Sequence, residues 1–454
     1  MSKVVRSWRL WAPILAITVV LVSVSVLAAS GSGWSLTGDS GTSPPMNFLG
    51  TTDNAAFEIW VNNQPALRIE PDATSPNLIG GGPGNAVTVG VHGATISGGR
   101  GNEVTDSFGT VGGGYGNAAS GPSSTVGGGD ENVASGSHAT AGGGARNTAG
   151  GQFATVGGGA GNAASGDHAT VGGGSLNAAD GEEATVGGGT ENTASFYLAT
   201  VGGGYSNIAS GQTSTVSGGS NNEASNIGAT VCGGSNNTAS GASSTVGGGG
   251  MNFAAGQFSF VAGFMAFNTE PTHVGVFLFA DSVGIGFPSI AANEFAVRAS
   301  GGYRLYSDVY SNVGVGLAPG ATSWGAISDR NVKANFAEVD TVQLLDVLDK
   351  MPVLTWNLQA QPDEVRHIGT MAQDFNTSFA YLFGEVESPV HINMMDAIGV
   401  SLAASQGLYT LVQGQAGQIA ELSAESVEQA MEIQELRAEL LALRQLVEEG
   451  AARP

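Results

Sequence analysis

The sequence is poor in cations and almost free of thiols. Of 454 residues, 15 are Lys or Arg against 38 Asp or Glu, for a formal charge of −23. The lysines are Lys3, Lys333 and Lys350. Affinity for nucleic acid comes mostly from neutralising phosphates, so this balance excludes a nucleic-acid partner. A glycine-rich phosphate loop needs its own lysine and a following helix, and none lies between Lys3 and Lys333. Cys232 is the single cysteine, which excludes an intrachain disulfide framework. The glycines lack the strict third-position period of collagen. No Asp recurs beside them, as a calcium-binding solenoid requires; Asp130 and Asp167 are isolated. Carboxylate pairs are scattered (Asp130-Glu131, Glu182-Glu183), which argues against a polysaccharide-cleaving groove. No metal and no cofactor is expected.

At the N-terminus Lys3, Arg6 and Arg9 precede an apolar run from Leu10 to Ala29. A positive segment followed by a hydrophobic one reads as an export signal, with small residues near Ala28-Ala29 for cleavage. Uncut, the run is long enough to anchor in a membrane. Residues 1–29 are therefore a signal peptide or an N-terminal anchor, and the remainder is exported, to the cell surface or beyond. This segment is the only membrane contact expected.

The centre of the chain is a repeat. Eleven threonines, from Thr95 to Thr245, stand 15 residues apart, and each is followed seven residues later by an asparagine, from Asn102 to Asn252. An atypical unit begins at Leu78 and carries Asn85, as a terminal cap would, and the tract from Phe260 reads as a degenerate last unit. Fifteen residues are too few for two helices, and the Gly triplets oppose a helix at about 1 kcal/mol per glycine. Two short extended pieces joined by glycine turns fit one coil of a parallel β-solenoid. Twelve coils stacked ~4.8 Å apart give a rod of roughly 55–60 Å. Val111, Ala118 and their equivalents would form a thin core. The repeated Asn has two structural readings: a ladder of amides bonding coil to coil, or a turn residue in the left-handed region.

These units resemble the head repeats of trimeric autotransporter adhesins of the YadA type, over roughly residues 78–265. The resemblance implies a trimeric left-handed parallel β-roll. The period here is 15, not the more usual 14 of that family, and its membrane-anchoring barrel is absent from the sequence.

Short strands flank the repeat. Phe57–Val61 and Ala66–Ile69 alternate around Asn62-Asn63-Gln64-Pro65, a hairpin pattern, and Phe295–Arg298 with Tyr303–Leu305 repeat it around Ser300-Gly301-Gly302. Val274–Ala280 and Val313–Leu317 add short strands. Trp60 and Phe295 are expected in the core. The regions so defined are a β-hairpin segment at 30–77, the solenoid at 78–265 and a β-rich connector at 266–326.

After Ser323 glycine falls and Leu, Glu and Gln rise. Ser328, Asp329 and Lys333 form a Ser-Asp-x-x-x-Lys motif, and Gly369, Ala372 and Gln373 a later Gly-x-x-Ala-Gln. Read alone, Ser328-Asp329 could simply cap a helix with Lys333 on its exposed face. The two motifs in order, with a helix and a strand between, resemble the peptidase S74 domain, the intramolecular chaperone that ends phage tailspikes, endosialidases and tail fibres. The resemblance covers about residues 327–420, within a domain drawn at 327–415. It implies self-cleavage beside Ser328 once the chains have trimerised, with Ser328 as nucleophile, Lys333 as general base and Asp329 as an orienting residue. The cut falls at Ile327-Ser328 or Ser328-Asp329, the former preferred. A lysine can serve as a base where desolvation favours its neutral form. His367 and His391 are read as structural.

Residues 416–454 form a helix with Ile419, Leu422, Ile433, Leu436, Leu440, Leu443 and Val447 at a and d heptad positions, interrupted by Ser426 and Gln429. The expected fold is thus mostly β: a solenoid, a small α+β domain and a coiled-coil helix. The expected protein is an exported homotrimeric fibre of adhesin type, its main partner being itself, with a surface glycan or protein as a further ligand class. Its enzymatic activity, if any, is a single autoproteolytic turnover. The alternative is a fibre that never cuts and keeps the S74-like domain as a permanent clamp.

Overall fold

The computed structural model describes residues 38, 40–43, 48–384 and 388–451. The run from Leu10 to Ala29 lies outside them. Among the described residues no helix is long and apolar enough to cross a membrane. The chain divides into two units, residues 1–300 and 301–454.

The first unit is a parallel β-solenoid. Each repeat from Thr95 to Thr245 places its Thr and the following apolar residue on one ladder and a second two-residue strand on another. Thr155-Val156 pairs with Thr170-Val171, and Ala163-Ala164 with Ala178-Ala179. A third contact, a single bridge per coil, follows each Gly triplet, as at Ala160 and Ser175. Strand alternation then decides which side chains turn inward. Ala154, Val156 and Ala164 are fully buried, and Asn162 is 1% exposed, while Thr155 is half-buried and Gly157 exposed. Small inward residues are required because opposing walls of the coil lie close together. In the coil read from the sequence as carrying Ala118 inside, it is Ala119 that is buried; Ala118 faces outward. The two-residue strand is too short for composition to reveal its phase.

The inward asparagines form the amide ladder. Asn162 Nδ2 donates to Asn147 Oδ1 at 3.0 Å, to Gly158 O at 2.9 Å and to Gly174 O at 2.9 Å. Its Oδ1 accepts from the backbone N–H and the Nδ2 of Asn177, both at 3.0 Å. The left-handed residue is the one before each Asn, as at Gly161, Leu176 and Glu191. The ladder reading therefore holds and the turn reading does not. Asn85 caps the ladder by accepting from Asn102 N–H at 2.9 Å.

The Gly triplets are not uniform in what they demand. The first position tolerates a side chain, since Ser97, Ser217 and Cys232 occupy it in their coils. The third is glycine in every coil from Gly99 to Gly249. At Gly159 φ is +96°, and an added Cβ would lie inside the van der Waals shell of Gly174 O in the next coil. Gly159→Ala thus combines left-handed strain with a backbone clash, each costing on the order of 1–3 kcal/mol. We expect the coils around residue 159 to become protease-sensitive in this variant while Gly173→Ala, the middle glycine of the next triplet, whose Cβ meets only Gly158 O at 3.8 Å, is far milder. Equal sensitivity of the two variants would refute the argument.

The stack continues past residue 265. Parallel pairing carries on through Phe260–Phe264, Phe277–Ala280 and Phe295–Arg298. With the strand at Asn77–Gly80 and the eleven Thr strands, that makes fifteen coils instead of twelve, a length of about 67 Å for fourteen spacings of ~4.8 Å. The expected hairpin of Phe295–Arg298 with Tyr303–Leu305 does not form. Phe295–Arg298 joins the solenoid, and Tyr303–Tyr306 pairs antiparallel with Gly314–Leu317 in the second unit. Insertions here lengthen the coil and hide the 15-residue period. Arg298 and Asp281 seal this end: Arg298 Nε donates to Asp281 Oδ1 at 2.9 Å, and its Nη2 to Val283 O at 2.9 Å. Hydrogen bonds from Ser300 above all, then the Arg298 contact, hold the Asp281 carboxyl well below the usual carboxylate range.

At the other end the first hairpin forms as expected. Phe57–Val61 pairs antiparallel with Gln64–Glu70, but the turn is only Asn62-Asn63, both in the left-handed region; Gln64 and Pro65 belong to the strand. Trp60 and Phe295 are not core residues. They are 56% and 75% exposed, and Phe295 instead stacks on Phe277 at 4.7 Å between centroids.

The second unit begins with the three-stranded antiparallel sheet of Tyr303–Tyr306, Gly314–Leu317 and Gly325–Ala326. Four helices follow: α1 (Thr341–Lys350), α2 (Ala372–Ser378), α3 (Ala380–Phe383) and α4 (Met394–Ala451). A two-stranded pair, Leu354–Trp356 with His367–Gly369, lies between α1 and α2. Leu344, Phe375, Phe379 and Val400 make the core, one or more from each of α1, α2 and α4. Gly407 permits the close crossing of α1 and α4, since a Cβ there would run into Thr341 O.

Candidate functional site

Between the three-stranded sheet and α1 lies the segment that carries Ser328. Ile327 N–H donates to Gly314 O at 3.1 Å, which ties the segment to the sheet. Asp329 then starts a 3-10 turn at Arg330–Val332. Its Oδ1 accepts from Asn331 N–H at 2.9 Å and Asn331 Nδ2 at 3.0 Å. A short side chain that caps a turn in this way is typical Asp chemistry. The turn closes with Lys333 N–H on Arg330 O at 3.3 Å. One turn of chain therefore separates Ser328 from Lys333, and the lysine reaches back: Lys333 Nζ lies 2.6 Å from Ser328 Oγ.

The structure thus brings two of the three expected site residues into direct contact. Asp329 touches neither through its side chain; its hydrogen bonds go to Asn331, so it shapes the turn that returns Lys333. Asn331 was not singled out from the sequence, although an Asp-x-Asn pair is a recognisable turn signal. Arg330 lies over the Phe336 ring at 5.3 Å, a contact the sequence did not suggest. Ser328, Asp329 and Lys333 are all exposed in the single chain.

The two histidines sit apart in role. His367 Nε2 lies 3.0 Å from Gln361 Oε1 and packs on Trp356 at 4.7 Å between centroids. His391 Nδ1 lies 2.7 Å from Ser388 Oγ. The second motif brackets the step from strand to helix: Gly369 ends the short strand and Ala372 opens α2.

α4 has two parts. Val400 and Gly407 are buried against the domain, but from 408 onward every described side chain is exposed. All seven apolar heptad residues, Ile419 to Val447, are at least 51% exposed.

Residues 328–382 match the model of the peptidase S74 family, described as the chaperone of endosialidase. The match begins at the serine of the dyad. The chain therefore carries a peptidase S74 domain behind a repetitive β-solenoid, an arrangement that fits a tail-fibre-like protein. No curated protein matches the chain.

Proposed function

We propose that this chain is an exported homotrimeric fibre whose S74 domain assists assembly and then cuts itself free beside Ser328. The observation that carries the reading is the 2.6 Å contact of Lys333 Nζ with Ser328 Oγ at the start of the S74 match. With the amine neutral, the same line of atoms carries the proton from hydroxyl to amine. Ser328 Oγ then attacks the carbonyl carbon of Ile327, and the C–N bond to Ser328 breaks. The lysine returns the proton to the departing nitrogen. The resulting ester is hydrolysed by one water, which leaves a carboxylate on Ile327 and a free amine on Ser328. The Ile327 N–H bond to Gly314 O would hold the acyl side in place.

An exposed lysine side chain is a poor base, because water favours the charged form, which has no lone pair to take a proton. The domain's own residues leave the dyad exposed, so its drying would come from a neighbouring copy. That links cleavage to assembly, and the fibre is released only when complete. The solenoid is the lasting product, with export through the N-terminal segment and a surface glycan or protein as its ligand class.

The test is the intact mass of purified residues 31–454 beside a Ser328→Ala variant. We expect the wild type to split next to Ser328 and the variant to stay whole. If both remain whole as folded trimers, the domain is a permanent clamp and the peptidase activity is struck out.

A further inference from the structure

One corner of the solenoid departs from the repeat. The turn that closes a coil before the next Thr strand reads Gly166-Asp167-His168, then Gly181-Glu182-Glu183, then Phe196-Tyr197-Leu198, then Gly211-Gln212-Thr213. The backbone of the third is unchanged. Leu198 N–H donates to Glu182 O at 3.0 Å and Thr213 N–H to Tyr197 O at 2.9 Å, as Glu183 N–H does to Asp167 O at 2.8 Å. The three bulky residues therefore do not serve the turn. They do not serve the core either, since Phe196, Tyr197 and Leu198 are 52%, 38% and 38% exposed. Leu198 moreover holds φ +55°, where a bulky side chain is disfavoured. Earlier in the same corner Phe153 stacks between His138 and His168, with centroids 5.0 Å apart on each side. Among the described residues Phe196 and Tyr197 stack on no ring.

The coils before this turn are acidic. Asp167, Asp180, Glu182 and Glu183 are all exposed, and among the described residues none of them is in an ion pair. No Lys or Arg lies between Arg146 and Arg298. Stacking sets Leu198 one coil from Glu183 and two from His168. The corner thus offers apolar surface and uncompensated negative charge side by side, one or two coil rises of ~4.8 Å apart.

Resting on the reading of the solenoid as a ligand-bearing fibre, we infer that Phe196, Tyr197 and Leu198, with Glu182 and Glu183 one coil before them, dock a basic, apolar polypeptide segment in extended form, with Lys or Arg two residues from Leu or Phe. Residues i and i+2 of an extended chain lie ~7 Å apart on one face, which matches the step from the carboxylates to the rings. The apolar side chain of the segment is dried against Phe196, Tyr197 and Leu198. Its cation meets carboxylates that have no partner within the chain, so charge complementarity sets the choice of partner. A neutral glycan would leave the carboxylates unused, and an acidic one would be repelled.

The experiment titrates residues 31–454 into a labelled synthetic peptide of repeated Lys-Ser-Leu-Ser, and into its Glu-Ser-Leu-Ser counterpart, with anisotropy as the readout. The basic peptide should bind saturably and the acidic one should not. Phe196→Gly with Tyr197→Gln and Leu198→Thr copies the turn of the next coil, Gly211-Gln212-Thr213, and so keeps the fold. This triple variant should weaken binding at least about tenfold, as should Glu182→Gln with Glu183→Gln. Glu103→Gln with Glu223→Gln removes the same charge from the second ladder and should change binding less than about twofold. Equal losses in the two charge pairs, or unchanged binding by the triple variant, would mean general attraction to an acidic rod and overturn the inference. A triple variant that sediments as a smaller assembly would show the corner facing a second copy, which also overturns it. Binding of a cello-oligosaccharide in place of the peptide, lost in the triple variant, overturns the partner class and leaves the ligand-bearing fibre standing. Failure of the peptide and the oligosaccharide alike overturns the inference and removes the ligand from that reading, while assembly and cleavage are read separately by sedimentation and intact mass.

Discussion

Asn162→Ala is expected to open the solenoid locally, at a cost of about 3–6 kcal/mol, the sum of several buried polar groups left unpaired at ~1–3 kcal/mol each. The amide it removes gives hydrogen bonds to Asn147, Gly158 and Gly174 and receives two from Asn177. Without it, the backbone N–H of Asn177, itself only 1% exposed, loses its acceptor. Asn162→Asp should be worse despite its matching shape. A carboxylate offers no N–H, so the oxygen in place of Nδ2 would face Asn147 Oδ1, Gly158 O and Gly174 O, and a charge would be buried without a cation beside it. Stability in a repeat array is shared between neighbours, so the damage should be regional. Native-state hydrogen exchange is the measurement. Protection should fall in the coils that flank residue 162 and persist near residues 95 and 245. A loss below about 1 kcal/mol would mean that the ladder is ornamental and that the stacked strands carry the fold.

Lys333→Arg is expected to abolish cleavage by at least 100-fold while leaving the turn and the assembly intact. Arginine keeps the positive charge and can donate to Ser328 Oγ, so a purely structural role for Lys333 would survive the exchange. It cannot give up its proton in any protein environment, so a role as base would not. Lys333→Met removes both the charge and the donor and should be equally silent. The uncut fraction by intact mass, hour by hour after purification, separates the readings. A Lys333→Arg chain that cuts at the wild-type rate would remove Lys333 from the chemistry, whatever the Ser328→Ala result.

Much of this architecture is legible in sequence because repetition amplifies weak signals. One Thr or one Asn means little, but eleven of each in phase exclude chance and point to a stack of equal coils. The same amplification marked the repeated Asn as structural but left ladder and turn both open; the structure chose the ladder, in which each inward amide satisfies the next. Legibility failed where the repetition stopped. Phe277–Ala280 and Phe295–Arg298 belong to the stack, but longer loops set them 17 and 18 residues from their neighbours' registers, so they read as separate strands. The dyad is an intermediate case. Ser328 and Lys333 were recognisable as a motif, yet five residues of chain can take many paths, and the path is set by Asp329 and Asn331.

By itself, then, the sequence determined the coil length, the recurring asparagines, the glycine turns and the S74 motif. Each is a matter of local period or local chemistry. Only the tertiary structure decided which of two adjacent alanines enters the core, because a two-residue strand has no internal alternation to read. It also decided that Trp60 and Phe295 lie outside, and that Lys333 meets Ser328 while Asp329 turns away. Those outcomes depend on which backbone groups remain unpaired once the coils and helices have packed, and no linear pattern records that.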